Sequence, residues 1–160
     1  MTDFAGMPAY FWVVSPRLKK LVRDDVPYTT QALREDLRRV RNAWEDCQAK
    51  RDRDAIYSYL IAVFDLVMWW KAEHHAVGRT HRALWLQGAD SPTTNEPFAA
   101  IIRCTANLAK VEKRTRSKWS RVLRYSAEYK SHGEPLDQFI RRRGGINKCA
   151  EQFTRCLGRS

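Results

Sequence analysis

The sequence predicts an all-α protein, a single compact bundle of about five to seven helices packed around one central apolar helix. Apolar residues recur at helical spacing along most of the chain, which is the main signal of amphipathic helices. Seven glycines and six prolines among 160 residues are fewer turn residues than a β-sandwich or barrel needs. Because 44% of the residues are hydrophobic, one core can form without disulfides or metal ions.

The N-terminal part of the chain predicts an irregular arm followed by an amphipathic helix. Residues 1–28 contain three prolines and an aromatic patch, and we expect them to form the arm, which leaves residues 29–160 as the helical domain. Thr29 or Thr30 suits the N-cap, since a threonine hydroxyl accepts a bond from a free backbone N–H. The next apolar residues are spaced by four, three, four and three positions, which places them on one helix face. These residues are Leu33, Leu37, Val40, Trp44 and Cys47.

The central helix is predicted at residues 55–77, after Asp52 or Asp54 and before Gly78. Acidic residues stabilise a helix N-terminus, and glycine commonly follows a helix end. Apolar residues lie on all sides of this segment, which indicates a helix that other helices cover. Its apolar run contains Asp65 and is shorter than the roughly 20 residues that span a bilayer. We therefore predict a buried core helix and no membrane span.

Polar loops divide the rest of the chain into further helices. A short helix containing Leu84 and Leu86 is expected to end at Gly88, and residues 89–95 form the clearest loop. Asn95 is the predicted cap of the next helix, and Pro97 suits its first turn, where a missing N–H costs no hydrogen bond. The remaining helices are predicted near residues 97–104, 108–130, 136–143 and 146–157.

Positive charge is concentrated in the last third of the sequence. The net charge is +11. Residues 1–54 hold 11 basic and 9 acidic side chains, residues 55–107 hold 4 and 4, and residues 108–160 hold 14 and 5. Charge gathered in one region attracts polyanions, such as nucleic acid or an acidic protein.

The predicted helix at residues 108–130 would carry its cations on one face. At about 100° per residue, five basic residues fall within a sector roughly 100° wide, and Lys118 borders that sector. The five residues are Lys110, Lys113, Arg114, Arg121 and Arg124. The opposite side is apolar, with Leu108, Val111, Trp119 and Val122. Such a face could follow a phosphate backbone by counterion release; the alternative is a solvated basic surface.

Residues 136–157 predict two short helices joined by a glycine turn. Gly145, Asn147, Lys148, Ala150 and Phe153 stand where the Fis-type DNA-binding domain has its turn and the start of the next helix. The segment therefore resembles a helix-turn-helix of that type. Ile146 is inserted between glycine and asparagine, and Ser160 stands where that family's recognition helix would begin.

The resemblance implies a helix-turn-helix-like scaffold without an evident base-reading helix. We favour the alternative, an ordinary helical hairpin that closes the bundle, because such hairpins are common. Under either interpretation the second basic cluster could contact phosphates. This cluster comprises Arg141, Arg142, Arg143 and Lys148.

The four cysteines form no Cys-x-x-Cys pair, which argues against a zinc knuckle or a thioredoxin-like site. Reduced thiols in a cytoplasmic protein are the simplest interpretation. Cys149 and Cys156 lie seven residues apart, and this spacing predicts a shared apolar helix face.

The sequence has no recognisable catalytic, nucleotide-binding or cofactor motif, so we predict a non-enzymatic protein without catalytic residues, cofactor or metal. His74, His75 and His81 lack the spacing of a zinc site and are interpreted as ordinary helix-end residues. Asp65 is interpreted as structurally paired, and four tryptophans as core residues. They are Trp69, Trp70, Trp85 and Trp119. A ligand site formed by these groups stays open as an alternative.

We therefore expect a nucleic-acid-binding accessory or regulatory protein, with DNA preferred to RNA, that uses its basic helical face. The alternative is a protein-interaction module whose basic surface docks an acidic partner. In that case the apolar stripe from Leu33 to Cys47 could join a homo-oligomer.

Overall fold

The computed structural model describes residues 27–50, 52–88 and 96–157. These residues form seven helices and no strand, which confirms the predicted all-α bundle. The predicted arm at residues 1–28 and the loop at residues 89–95 lie almost wholly outside the described residues. The helices are α1 (Thr30–Ala49), α2 (Ala55–Ala72), α3 (Ala76–Leu86), α4 (Pro97–Thr105), α5 (Lys113–Tyr129), α6 (Leu136–Arg142) and α7 (Ile146–Cys156).

Helix α1 begins as its sequence predicts and buries the predicted stripe. The Thr29 hydroxyl accepts a hydrogen bond from the Ala32 N–H at 3.1 Å, which satisfies one of the free donors at the helix start. All five residues of the stripe are buried in the hydrophobic core. The stripe packs within its own chain and therefore offers no free apolar surface to an oligomer; formation of a homo-oligomer stays a prediction.

Helix α2 is the central helix, and it packs against α1, α3, α4, α5 and α6. Its fully buried aromatic side chains include Tyr59, Phe64, Trp69 and Trp70. By length and composition this helix would also qualify as a membrane span, with a mean hydropathy of 1.2 over 18 residues. A buried core helix meets the same criteria, and α2 lies at the centre of the bundle.

Helix α2 ends at Ala72 instead of continuing to residue 77. His74 adopts the left-handed region with φ 62°, and the His75 N–H donates to the Trp70 carbonyl at 3.0 Å, a bond typical of a Schellman helix end. Gly78 lies inside α3 with no atom within 4 Å of an added Cβ. The prediction that Gly78 ends the central helix is therefore wrong, because a histidine takes the left-handed position.

Helix α4 starts with Pro97, as predicted, and its cap is Glu96. The Glu96 carboxylate accepts from the backbone N–H groups of Phe98 and Ala99 at 3.2 and 2.6 Å. The predicted cap, Asn95, lies outside the described residues. The helix ends at Thr105, one residue after its predicted end at residue 104.

The next helix starts at Lys113, five residues later than predicted. The Asn107 side chain accepts from the Ala109 N–H at 2.9 Å, and the Asn107 carbonyl accepts from the Lys110 N–H at 3.0 Å. Asparagine often stabilises a turn in this way at the expense of helix. Residues 107–112 therefore form turns, and the predicted helix at residues 108–130 is too long at its N-terminal end.

Helices α6 and α7 are joined by Gly144 and Gly145, both with φ 101°, a region that favours glycine. The Gly145 N–H donates to the Ile140 carbonyl at 2.8 Å. Helix α7 buries Cys149, Ala150 and Phe153 and packs mainly on α5. The predicted boundaries of both helices are correct to within one residue.

Asp65 lies half-buried on helix α2, between residues that are mostly apolar. Burial raises the pKa of its carboxyl to about 6, and attraction by Lys130 opposes that rise. The Lys130 ammonium group donates to the carbonyls of Ser131 and Glu134 at 2.9 and 2.8 Å. Asp65 therefore faces the cation that holds the loop between α5 and α6, in keeping with a structural role.

We predict that Asp65→Asn stabilises the protein at pH 7.5 and has little effect at pH 4. The folded-state pKa of Asp65 lies above its ordinary value of 3.8, so the folded chain binds the proton more tightly than the unfolded chain. Stability contributed by this group is present below about pH 4 and lost as the pH rises through 6. The gain at pH 7.5 should be about 1–3 kcal/mol, measured by urea unfolding. Equal gains at both pH values would contradict the prediction.

Candidate nucleic-acid interface

Helix α5 turns one face to the core and the other to solvent. Trp119, Val122, Leu123 and Ser126 are buried, and they recur at three- and four-residue intervals. That spacing places them on one side of a helix. Burial of this side directs the charged residues of α5 outward.

The outward side carries five cations, which we call the cationic ridge: Lys113, Arg114, Lys118, Arg121 and Arg124. Three of them are exposed, and the other two, Lys118 and Arg121, are half-buried. Within the described residues, none of the five has a carboxylate oxygen within 4.0 Å. Lys113 and Arg124 are eleven residues apart, so the ridge extends about 16 Å along the helix axis.

Lys110 does not belong to the ridge, although the sequence predicts it there. It is exposed on the turn before α5, where the 100° periodicity of the helix does not apply. For the same reason Leu108, predicted on the apolar side, is 46% exposed. Val111 is buried as predicted.

Helix α7 borders the ridge and orients two of its arginines. The Arg121 guanidinium donates to the Thr154 hydroxyl at 3.0 Å, and the Arg124 guanidinium lies 4.6 Å from the ring centroid of Phe153. Contacts of this kind restrict long side chains before any ligand arrives, which lowers the entropy lost on binding. They also place the ridge beside a second helix, a shape suited to contacting a phosphate backbone.

The second predicted cluster is largely paired within the protein. Arg142 makes two hydrogen bonds to Glu134 at 2.8 and 2.9 Å, and this arginine lowers the pKa of Glu134. Arg141 lies 3.5 Å from Asp54, and Lys148 lies 4.0 Å from Glu151. The basic side chains of this cluster are exposed, but neighbouring carboxylates offset their positive charge. The ridge differs, because none of its cations has such a carboxylate among the described residues.

Arg143 is held by aromatic side chains. It donates to the Tyr125 hydroxyl at 3.1 Å, and its guanidinium lies 5.4 Å from the ring centroid of Phe139. Two positions that carry the helix-turn-helix resemblance, Ala150 and Phe153, are buried, whereas Asn147 and Lys148 are exposed. An ordinary helical hairpin that closes the bundle would show the same pattern of buried and exposed residues as a helix-turn-helix.

The predictions for the tryptophans and for the two cysteines of the last helix are only partly correct. Trp69, Trp70 and Trp119 are buried as predicted, but Trp85 is 74% exposed, so its assignment to the core is wrong. Cys149 is buried and Cys156 is exposed. The prediction that both cysteines share an apolar face fails because Cys156 is the last residue of α7, at the edge of the bundle.

The histidines at the end of α2 and on α3 lie outside any group of described residues that could bind a metal ion. No group of three or more His, Cys, Asp or Glu side chains suited to a metal ion occurs in the described parts of the chain. His74 adopts the left-handed backbone conformation that ends α2, so this histidine has a structural role at the helix end.

A buried polar cluster was missed by the sequence reasoning. The Tyr28 hydroxyl donates to Asp36, which is 1% exposed, and Arg79 pairs with Glu73. The Arg79 guanidinium lies 3.8 Å from the centroid of the Tyr28 ring, and burial is the main cause that raises the tyrosine pKa. The signal available in the sequence was that Asp36 lies three residues after Leu33 and one before Leu37. Because its members are mutually paired, we interpret the cluster as structural.

No known protein family, curated protein or solved structure matches this chain.

We predict that one of the four thiols reacts rapidly with Ellman's reagent in the folded protein. Cys156 is exposed, whereas the other three are buried. Burial raises the pKa of Cys104 and Cys149 to about 11, which suppresses the reactive thiolate. Guanidinium should release all four thiols, and Cys156→Ser should remove the fast one. Two or more fast thiols in the native protein would contradict the burial of the other three cysteines.

Proposed function

We propose that this protein binds nucleic acid through the cationic ridge and acts as a non-enzymatic accessory or regulatory protein. The observation that carries the proposal is the alignment of Lys113, Arg114, Lys118, Arg121 and Arg124 on one face of α5, without a carboxylate partner among the described residues. Several other basic residues at this end of the bundle do have such partners, including Arg142 with Glu134.

Cations in a row that have no carboxylate partner among the described residues suit a polyanion. Duplex DNA carries one negative charge per about 1.7 Å of its axis, and cations that neutralise phosphates release condensed counterions. Three of the five residues are arginines, which can form two parallel hydrogen bonds to a phosphate. The contacts of Arg121 and Arg124 with α7 favour backbone binding over insertion of α5 into a groove. The helix-turn-helix resemblance of residues 136–157 is our reason for preferring DNA to RNA.

The second candidate function is docking of an acidic protein on the same basic surface. A specific observation favours a protein partner, since Trp85 and Val77 on α3 are 74% and 50% exposed. Exposed large apolar residues, tryptophan above all, often mark protein interfaces. This candidate predicts an acidic protein that co-purifies after nuclease treatment.

We predict that DNA affinity falls steeply with salt and depends on the ridge. Five phosphate contacts on duplex DNA should give a slope of log K against log salt of about −4.5, measured by fluorescence anisotropy. The triple variant Arg114→Glu, Arg121→Glu, Arg124→Glu should reduce affinity at least a hundredfold, because each reversal removes one attraction and adds one repulsion.

The matched control is the triple variant Arg34→Glu, Arg38→Glu, Arg103→Glu, which makes the same change in net charge at exposed positions on α1 and α4. It should retain affinity to within a few-fold. If both triple variants lose affinity equally, attraction to net charge explains the binding and the ridge has no special role.

A further inference from the structure

A groove lies beside the first half of α5. It is bounded by the end of α1, the start of α2 and the turn before α5, and it has a volume of about 700 Å³. The groove is open to solvent, and its volume is comparable to that of small-ligand sites. Its lining residues include Trp44, Gln48, Ile56, Val111, Thr115 and Trp119.

The groove combines an apolar floor with a polar rim. Trp44, Trp119 and Val111 are almost fully buried, so they contribute the floor. The Thr115 hydroxyl and the Glu112 carboxylate on the rim have no hydrogen-bond partner among the described residues. They are therefore available to a ligand that carries both polar edges and a flat apolar face.

The charge of the groove differs from that of the ridge. Its described lining contains two cations, Lys50 and Lys110, and two anions, Asp52 and Glu112, so their formal charges cancel. A neutral site with hydrogen-bonding groups suits a neutral heterocycle better than a phosphate. Carboxylates of this kind accept hydrogen bonds from the amino groups of bases.

The groove and the ridge are neighbours on the same helix. Thr115 lines the groove, and Lys118, three residues later, belongs to the ridge. Residues three apart on a helix have Cβ atoms about 5–6 Å apart. A strand whose phosphates lie on the ridge can therefore extend a base towards the groove.

We infer that the ligand is single-stranded nucleic acid, with its phosphates on the cationic ridge and an unpaired base in the groove. This inference rests on the proposed function and specifies its substrate class. Bases in a duplex are paired and stacked, and extracting one costs unpairing and unstacking free energy. Bases of a single strand are free to turn towards a protein site.

The test compares a fluorescently labelled single-stranded DNA with an abasic strand of the same length at the same salt concentration. Both strands carry the same phosphate charges, so the ridge contributes about equally to each. Stacking of a base on protein side chains adds to the affinity for a single strand, and we expect the abasic strand to bind at least tenfold more weakly in anisotropy titrations.

Two groove-filling variants on different helices locate the base. Thr115→Trp and Gln48→Trp should each reduce the preference for the normal strand to less than about twofold while retaining abasic-strand affinity. Gln138→Trp, an exposed substitution on α6, is the matched control and should keep the preference. Circular dichroism and thermal unfolding identify any variant that fails to fold, and the exposed Gln48 provides the safer substitution.

The outcomes separate this inference from the proposal on which it rests. Equal binding of the two strands, or a preference that survives folded groove-filling variants, overturns the inference. If binding also depends on the ridge arginines, nucleic-acid binding still stands. If neither single strand binds and duplex DNA does not bind at low salt, both the inference and the proposed function are overturned.

Discussion

Helix α2 carries apolar side chains around most of its circumference, although Ser58 and Lys71 are exposed, so most of its surface must be covered by other helices. Five other helices pack against it, each with one apolar face. Burial of apolar surface is the main favourable term in folding, so this requirement orients the surrounding helices. The outward position of the α5 cations follows from it, because Val122 and Leu123 on the other side of that helix are fully buried.

The distribution of acidic residues then determines which cations are available. Arg141 lies close to Asp54, which is distant from it along the chain. Arg142 lies close to Glu134, which belongs to the loop before α6. The ridge has no comparable partner within the described structure. Two sets of basic residues that look alike in the sequence therefore differ in the charge that they offer to a ligand.

The helical content and the core were predictable because local patterns encode them. The stripe from Leu33 to Cys47 and the turn at Gly144 and Gly145 follow from spacing and residue type. The start of α5 was not predictable in this way, because Asn107 stabilises a turn before a sequence that would otherwise continue a helix. That single difference removes Lys110 from the ridge and exposes Leu108.

By itself, the sequence determined the helical class, the central apolar helix and the separation of charged and apolar sides on α5, since these depend on periodicity along one segment. Only the tertiary structure decided that Trp85 is exposed, that Asp36 is buried and paired, and that Arg142 is neutralised by Glu134. It also created the groove, whose walls come from α1, α2 and α5. Such features depend on which segments meet in space, and no local pattern contains that information.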